Sequence, residues 1–392
     1  MQIVLFDTDR WDELLPLTFT RPVAKIRIGI LTLSEKWEKY TSGAVSFYTR
    51  KHLQKIYPLH LSEDNLVVNS ALVPDKNTVS QLLTLETGEA YFYQNIFLAG
   101  RFTDQQFNLF IQKKWNPVEK EYALEPFWIT HFCDIFSYND KAIRQDFELL
   151  TMGRKSEPLS PSNRIVGDPK LVFIEKDAYA ECCVFNTTNG PIYIGEQSEV
   201  MEGSVIRGPF ALCKHSTVKM SAKIYGATTI GPYSKVGGEI NNSVVFGYSN
   251  KAHDGFLGNS IIGEWCNLGA DTNNSNLKNN YAEVKMWNYP KQRFVSTGLQ
   301  FAGLVMGDHS KCGINTMFNT GTVIGVSCNL FGDGFHRNFV PSFSWGGAQG
   351  YTRYQFEKAI ETAQRVMQRR NMELSKDERD VLQWIYEYSP KV

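Results

Sequence analysis

The side chain best placed to do chemistry is His253, in the run Lys251-Ala-His-Asp-Gly255. An imidazole with an ordinary pKa near 6.5 takes up a proton at neutral pH and is the usual general base. The plainer alternative for a lone histidine is a solvent-facing turn residue. The remaining histidines (His52, His60, His131, His215, His309 and His336) have no metal-ligand spacing, so no protein-held metal such as zinc is expected. The chain carries 41 basic and 41 acidic residues, which argues against a nucleic-acid partner or an anionic membrane surface. Any basic patch must then be local, as a phosphate pocket would be. The seven cysteines include no Cys-x-x-Cys pair and are odd in number, which points to reduced core thiols.

The elements that must hold these residues declare themselves by period. Every sixth residue from Ile194 is a branched aliphatic: Ile194, Val200, Ile206, Leu212, Val218, Ile224, Ile230 and Val236. With roughly one residue in five Ile, Leu or Val, chance yields such a run on the order of once per million starting points. The period resumes as Val244, Asn250, Phe256, Ile262, Leu268, and again as Met306, Cys312, Phe318, Ile324, Leu330. Six fits neither a helix at 3.6 nor a strand at 2. It fits a solenoid over residues 160–348 in which each short flat face sends one aliphatic side chain to a shared axis. Glycine follows the interior residue at Gly195, Gly231, Gly263, Gly269 and Gly325, where a corner is expected to need unusual dihedrals. Residues 273–300 are off-period and should leave the solenoid as a loop.

After Gly347 the pattern becomes helical. Phe356, Ala359, Ile360, Ala363 and Met367 share one face, and the basic run Gln368-Arg369-Arg370 follows. A second helix should start at the capping box Ser375-Lys-Asp-Glu378. The pair, over 349–392, is expected to cap the open solenoid edge. Residues 1–155 read as an α/β domain with strands at 2–6, 64–70 and 91–98 and helices at 33–39 and 140–150. The Ser/Pro-rich stretch 155–163 then serves as linker. Neither a signal peptide nor a membrane span is expected, which makes the cytoplasm the default location.

An α/β domain followed by a six-residue β-helix resembles the bifunctional GlmU family, nearest to its GlmU-related members in Bacteroides-type bacteria. These join a sugar-1-phosphate nucleotidyltransferase to a left-handed parallel β-helix acetyltransferase. The likeness is carried by Ile192-Tyr-Ile-Gly195, Ile206-Arg-Gly-Pro-Phe210, Val236-Gly-Gly-Glu239, Tyr248 to Gly258, Ile262 to Ala270 and Ser275-Asn-Leu-Lys-Asn279. By this resemblance His253 is the general base. Asn267 and Asn276, fourteen and twenty-three residues beyond it, are catalytic partners at the sugar or the thioester carbonyl, and Glu239 and Ala270 belong to the substrate site. Where the family has a phosphate-gripping arginine after Gly-Pro-Phe-Ala, Gly208-Pro-Phe-Ala211 is followed by Leu212 with Lys214 close by; Lys235, in Gly231-Pro-Tyr-Ser-Lys235, is the better candidate phosphate contact, with Lys251 of the same standing. The resemblance implies acetyl-coenzyme A or a related acyl-CoA as donor, an amino-sugar phosphate as acceptor, and a homotrimer.

There are departures from the family. Phe256 and Leu277 replace the tyrosines expected at the acceptor sugar. The first domain has no glycine-rich loop before Gly29, so the resemblance leaves Thr20, Arg21, Lys25 and Arg27 as its expected phosphate cluster, and Val67-Val-Asn-Ser70 stands where the family has its magnesium-binding aspartate. Mg²⁺ is accordingly implied only if that domain is active. Two other readings stay open: a nucleotidyltransferase whose β-helix only assembles the oligomer, and a non-catalytic scaffold that binds sugar nucleotides.

Overall fold

The computed structural model describes residues 1–390 and divides the chain into two compact units. Met1–Leu14, Thr20–Ile26 and Leu31–Phe132 form the first. Leu15–Phe19, Arg27–Ile30 and the chain from Cys133 onward form the second.

The first unit is built on a six-stranded sheet of β1 (Gln2–Phe6), β2 (Val45–Tyr48), β3 (Asn65–Asn69), β4 (Glu89–Tyr93), β5 (Ile96–Phe102) and β6 (Val118–Glu121). Their spatial order is β2-β1-β3-β5-β4-β6. β1 lies parallel to β2 and β3, and β5 runs antiparallel to β3 and β4. β1 and β3 are continuous apolar runs because both faces of the sheet are covered. Ile3, Leu5, Leu66 and Val68 pack into one core, while Val4 and Val67 pack into the other. The single strand expected over 91–98 is instead two strands of a hairpin. Gln94 and Asn95 adopt φ of 50° and 65°, the paired left-handed conformation of a tight hairpin turn. Helix Leu33–Thr41 begins at a capping box between Thr32 and Glu35.

The second unit is the expected solenoid, a parallel β-helix whose coils contribute to three sheets of six, nine and ten strands. The interior column holds every aliphatic from Ile194 to Val236, each essentially buried. Further along, the register differs from the expected one by a residue. Val245, Lys251 and Leu257 occupy interior positions, not Val244, Asn250 and Phe256. Val245 pairs with Ile230, Lys251 with Val236, and Leu257 with Ile240. A lysine at an interior site broke the hydrophobic signal that would have exposed the slip.

The glycines at the corners also act differently from the expectation. None of Gly195, Gly231, Gly263, Gly269 and Gly325 has a positive φ. They are required by close approach: a Cβ on Gly231 would stand 1.7 Å from the Phe246 carbonyl oxygen of the next coil. The left-handed residue comes two positions after the glycine, at Gln197, Tyr233, Trp265 and Ser327. Equivalent corners on successive coils carry His215, Tyr233, Tyr248, Trp265 and His309, whose rings stack face to face. Neighbouring centroids are 4.3–6.2 Å apart.

The off-period segment leaves the solenoid and returns. Ile262 pairs with Met306, Leu268 with Cys312 and Asn274 with Phe318, so the coils before and after the excursion stack on each other. An isolated bridge between Leu277 and Phe301 forms the neck of the excursion. Beyond it, strands Lys285–Asn288 and Arg293–Ser296 make a hairpin. That hairpin is laid back on the solenoid, with Trp287 stacked on Phe339 at 4.2 Å. At the far end, strand Ser344–Gly347 is covered by the antiparallel strand Gly350–Arg353. The exposed edge is thus closed by a strand and not by the helices alone. Helix Phe356–Gln368 buries the five residues named from its pattern, and helix Lys376–Tyr388 starts at the Ser375/Glu378 capping box. The Ser/Pro-rich linker is ordered against the first coils: Glu157 N donates to the Ile174 carbonyl at 2.9 Å.

The seven cysteines are free thiols; Cys183, Cys266, Cys312 and Cys328 sit in the solenoid core, and Cys182 is exposed. No helix among the described residues is long and apolar enough to cross a membrane.

Candidate functional site

The outer face of the ten-stranded sheet presents one side chain per coil. Lys235, Asn250, Asn267, Lys311 and Asn329 follow one another across paired strands. With strands about 4.8 Å apart, Lys235 and Lys311 stand roughly 14 Å from each other. A cleft of about 790 Å³ opens over this row. Its far wall is the helix Phe356–Gln368 through Thr362 and Val366, continued by Arg369 and Arg370. The corner rings Tyr248 and Trp265 close one side, and His253, Gly269 and Ala270 lie at the other margin.

The electrostatics of the cleft are one-sided. Lys235, Lys311, Arg369 and Arg370 line it, and no carboxylate does. Lys311 donates to the His309 carbonyl at 2.7 Å, and burial pushes its pKa down to about 8. Arg370 reaches the Asn250 side-chain oxygen at 3.5 Å, and burial followed by the neighbouring Arg369 lowers its pKa. Burial raises the Tyr248 phenol. His253 itself is exposed, on the turn after strand Asn250–Lys251. A cleft with an exposed imidazole, two amide side chains and four cations suits an anionic ligand whose reacting end lies near His253.

Of the residues singled out from the sequence, the structure brings together His253, Asn267, Lys235 and Ala270. Asn276 is outside the cleft; its amide donates to Asn259 at 2.8 Å beside the neck of the excursion. Glu239 lies in the six-stranded sheet, where the Tyr225 hydroxyl donates to it at 2.6 Å. Lys251 is 3% exposed, and its ammonium points to backbone carbonyls instead of into the cleft. Among the asparagines of the excursion, Asn273 and Asn274 accept from Phe256 N and Gly258 N at 2.8 and 2.9 Å. They stand in for backbone where the six-stranded sheet ends. Sequence reasoning passed over Lys311, Arg369, Arg370 and Asn250. The basic run at 368–370 was the one visible signal, and nothing in it shows that the helix folds back over the sheet.

The residues of the expected N-terminal phosphate cluster are divided between the two units. Arg27 belongs to the second unit, donating through Nε to the Phe246 carbonyl at 3.1 Å and through Nη1 to the Ile30 carbonyl. Thr20, Arg21 and Lys25 belong to the first unit. Arg21 is 3% exposed, and Lys25 lies over the Phe47 ring at 5.0 Å. The residues at the ends of β1 and β3 do not fit a magnesium ion either. Asn69 spends its amide on the Phe97 carbonyl and on Ala71 N. Asp7 is buried and accepts from Thr49 at 2.5 Å and Val23 N at 3.1 Å, and desolvation pushes its pKa up to about 6. A hard divalent cation calls for several ionised oxygens. No cluster of three His, Cys, Asp or Glu side chains able to hold a metal occurs among the described residues.

Comparison with known proteins is consistent with this division. Residues 3–155 match the sugar nucleotidyl transferase family model. The chain is 33% identical over 121 residues to the bifunctional protein GlmU of Methanocaldococcus jannaschii, covering 31% of this chain and 27% of that protein. It is 30% identical over 144 residues to a bifunctional sugar-1-phosphate nucleotidylyltransferase/acetyltransferase of Sulfurisphaera tokodaii, covering 36% and 35%. A putative acetyltransferase of Escherichia coli, YaiX, is 25% identical over 182 residues, covering 45% and 78%. The chain thus spans about a third of the length of the two bifunctional proteins it matches. Residues 3–155 thus match sugar nucleotidyl transferases, and part of the chain is similar to bifunctional nucleotidylyltransferase/acetyltransferase proteins.

Proposed function

We propose that the second unit transfers an acyl group from an acyl-coenzyme A to the amine of an amino-sugar phosphate, with His253 as general base. The observation that carries this reading is the cleft, where His253 and Asn267 meet four cations and no carboxylate. The sugar nitrogen attacks the thioester carbon while the His253 imidazole takes the proton that nitrogen must lose. The Asn267 amide donates to the developing oxyanion, the thiolate departs, and its bond electrons and one proton complete free coenzyme A. Lys235, Lys311, Arg369 and Arg370 hold the phosphates of donor and acceptor. Asn276 and Glu239, remote from the cleft of their own chain, enter the reaction only through a neighbouring copy, and we take the working assembly to be a trimer. Free acyl-CoA and sugar phosphates place the reaction in the cytoplasm.

The test is release of free coenzyme A from acetyl-coenzyme A and glucosamine-1-phosphate. His253→Ala is expected to lower it by about 10²–10⁴. Undiminished release by that variant refutes the base assignment. The family match over residues 3–155 favours one second reading, nucleotidyl transfer to a sugar-1-phosphate by the first unit. Pyrophosphate formation from UTP or dTTP, dependent on Mg²⁺, would establish it.

A further inference from the structure

Lys251 occupies an interior position of the β-helix, in the column Val200, Val218, Val236, Lys251, Leu268, Cys312, Leu330. Every other member is apolar, and an ammonium drawn out of water into such a stack is costly unless hydrogen-bonded. Its partners explain its presence. Nζ donates to the carbonyls of His253 at 2.8 Å, Asp254 at 3.2 Å and Gly237 at 3.3 Å. Two of the three belong to the turn that carries the exposed imidazole, and the third belongs to the coil beneath it. The charged groups that face this ammonium are Asp254 and Asp271, together with the Cys312 thiol. Neither carboxylate is a hydrogen-bond partner, so the turn is held by charge-assisted bonds to its backbone.

We propose that Lys251 is a positioning residue for His253: from inside the solenoid it pins the backbone of the His253 turn to the preceding coil, and it does not contact substrate. This assignment rests on the acyl-transfer reading given above. It also carries a thermodynamic signature, because a lysine kept for positioning sits in the core at the expense of stability. Burial lowers its pKa to about 8, so its three bonds weaken as pH rises through that value.

The experiment compares Lys251→Met and Lys251→Leu with the full-length wild type. Both substitutions supply the apolar side chain found elsewhere in the column and remove the three donors. Three results are expected. The melting temperature of neither variant falls. kcat drops at least tenfold while KM for acetyl-coenzyme A and for the sugar phosphate changes less than about twofold. kcat of the wild type declines above pH 8, and both variants lack that decline. A rise in KM for either phosphate-bearing substrate with kcat preserved would make Lys251 a substrate contact and overturn the proposal. A lower melting temperature in both variants, or unchanged kcat, overturns it as well. The imidazole resonances of His253, identified by their loss in His253→Ala, supply an arm that needs no activity. They are expected to shift in Lys251→Met, and unshifted resonances refute the positioning role even if no acyl acceptor is found. Absence of transfer by the wild type, with those resonances shifted, would instead count against the acyl-transfer reading alone.

Discussion

Replacing Lys311 by methionine should make the protein more stable and a poorer enzyme. The side chain stands in the third sheet with Cys312 inside and its ammonium held at the cleft floor by the His309 carbonyl. Burial brings its pKa from 10.5 to about 8. A lysine whose folded pKa is depressed destabilises the fold wherever the unfolded chain keeps it charged. The penalty is complete below pH 8, shrinks above it, and vanishes once pH exceeds the unfolded value near 10.4. At about 1.4 kcal/mol per pH unit the shift corresponds to at most about 3 kcal/mol at pH 7. Water penetration takes a share of that, and a rise in melting temperature of roughly 3–6 °C is expected for the variant. The lost charge acts in the opposite direction on binding. A charge-assisted bond to a phosphate is worth about 1.5–3 kcal/mol, so KM for acetyl-coenzyme A should rise about tenfold to a hundredfold with kcat little changed. Thermal melts at pH 7 and pH 9.5, paired with thiol-release kinetics at both, read the two effects. At the higher pH the difference in KM should close, and the difference in melting temperature should shrink to under half, with about 1 kcal/mol of the penalty remaining. A variant that melts lower than the wild type at pH 7, or that binds the donor as tightly, refutes the reasoning.

Two more outcomes follow from the same structure. Leu257→Ala should cost about 2–5 kcal/mol of stability, because Leu257 is buried in the solenoid column. Phe256→Ala, on the outer face, should cost much less; equal losses in chemical denaturation would contradict the register. Asp7, with its carboxyl pushed up to about 6 by burial, binds its proton more tightly folded than unfolded. Stability of the first unit should therefore fall as pH rises from 4 to 6, by at most about 3 kcal/mol. Asp7→Asn should remove that slope, and a slope of unchanged size in its unfolding curves would show that Asp7 is not its source.

How much of this was legible in the chain depends on whether a signal was local. The column from Ile194 to Val236 was plain because each coil contributes one aliphatic at fixed spacing, and the five buried positions of helix Phe356–Gln368 were plain for the same reason. The pattern failed at Lys251, where a polar residue took an interior site and the flanking Asn250 and Phe256 were equally acceptable to a period of six. The turn at Gln94-Asn95 was missed since neither residue is a glycine, although asparagine tolerates the left-handed region. Of the cleft, the part within one stretch of chain was visible in His253, Asn267 and Ala270. Arg369 and Arg370 come from a helix some hundred residues further on, and only tertiary folding shows that they share a cavity with Asn250. Arg27 failed in the opposite way: its neighbours in sequence suggested a cluster, yet it belongs to the second unit, where its hydrogen bonds run to Phe246 and Ile30.

The stacked rings of His215, Tyr233, Tyr248, Trp265 and His309 make the solenoid its own optical gauge. Aromatic rings held nearly parallel at 4.3–5.0 Å, as in the middle of this ladder, share an asymmetric environment only while consecutive coils keep their spacing. Near-ultraviolet circular dichroism, which disappears when fixed packing is lost, would follow that spacing directly. Because Tyr248 and Trp265 also line the cleft, the same bands would register a ligand settling there, without a label and in the wild-type chain.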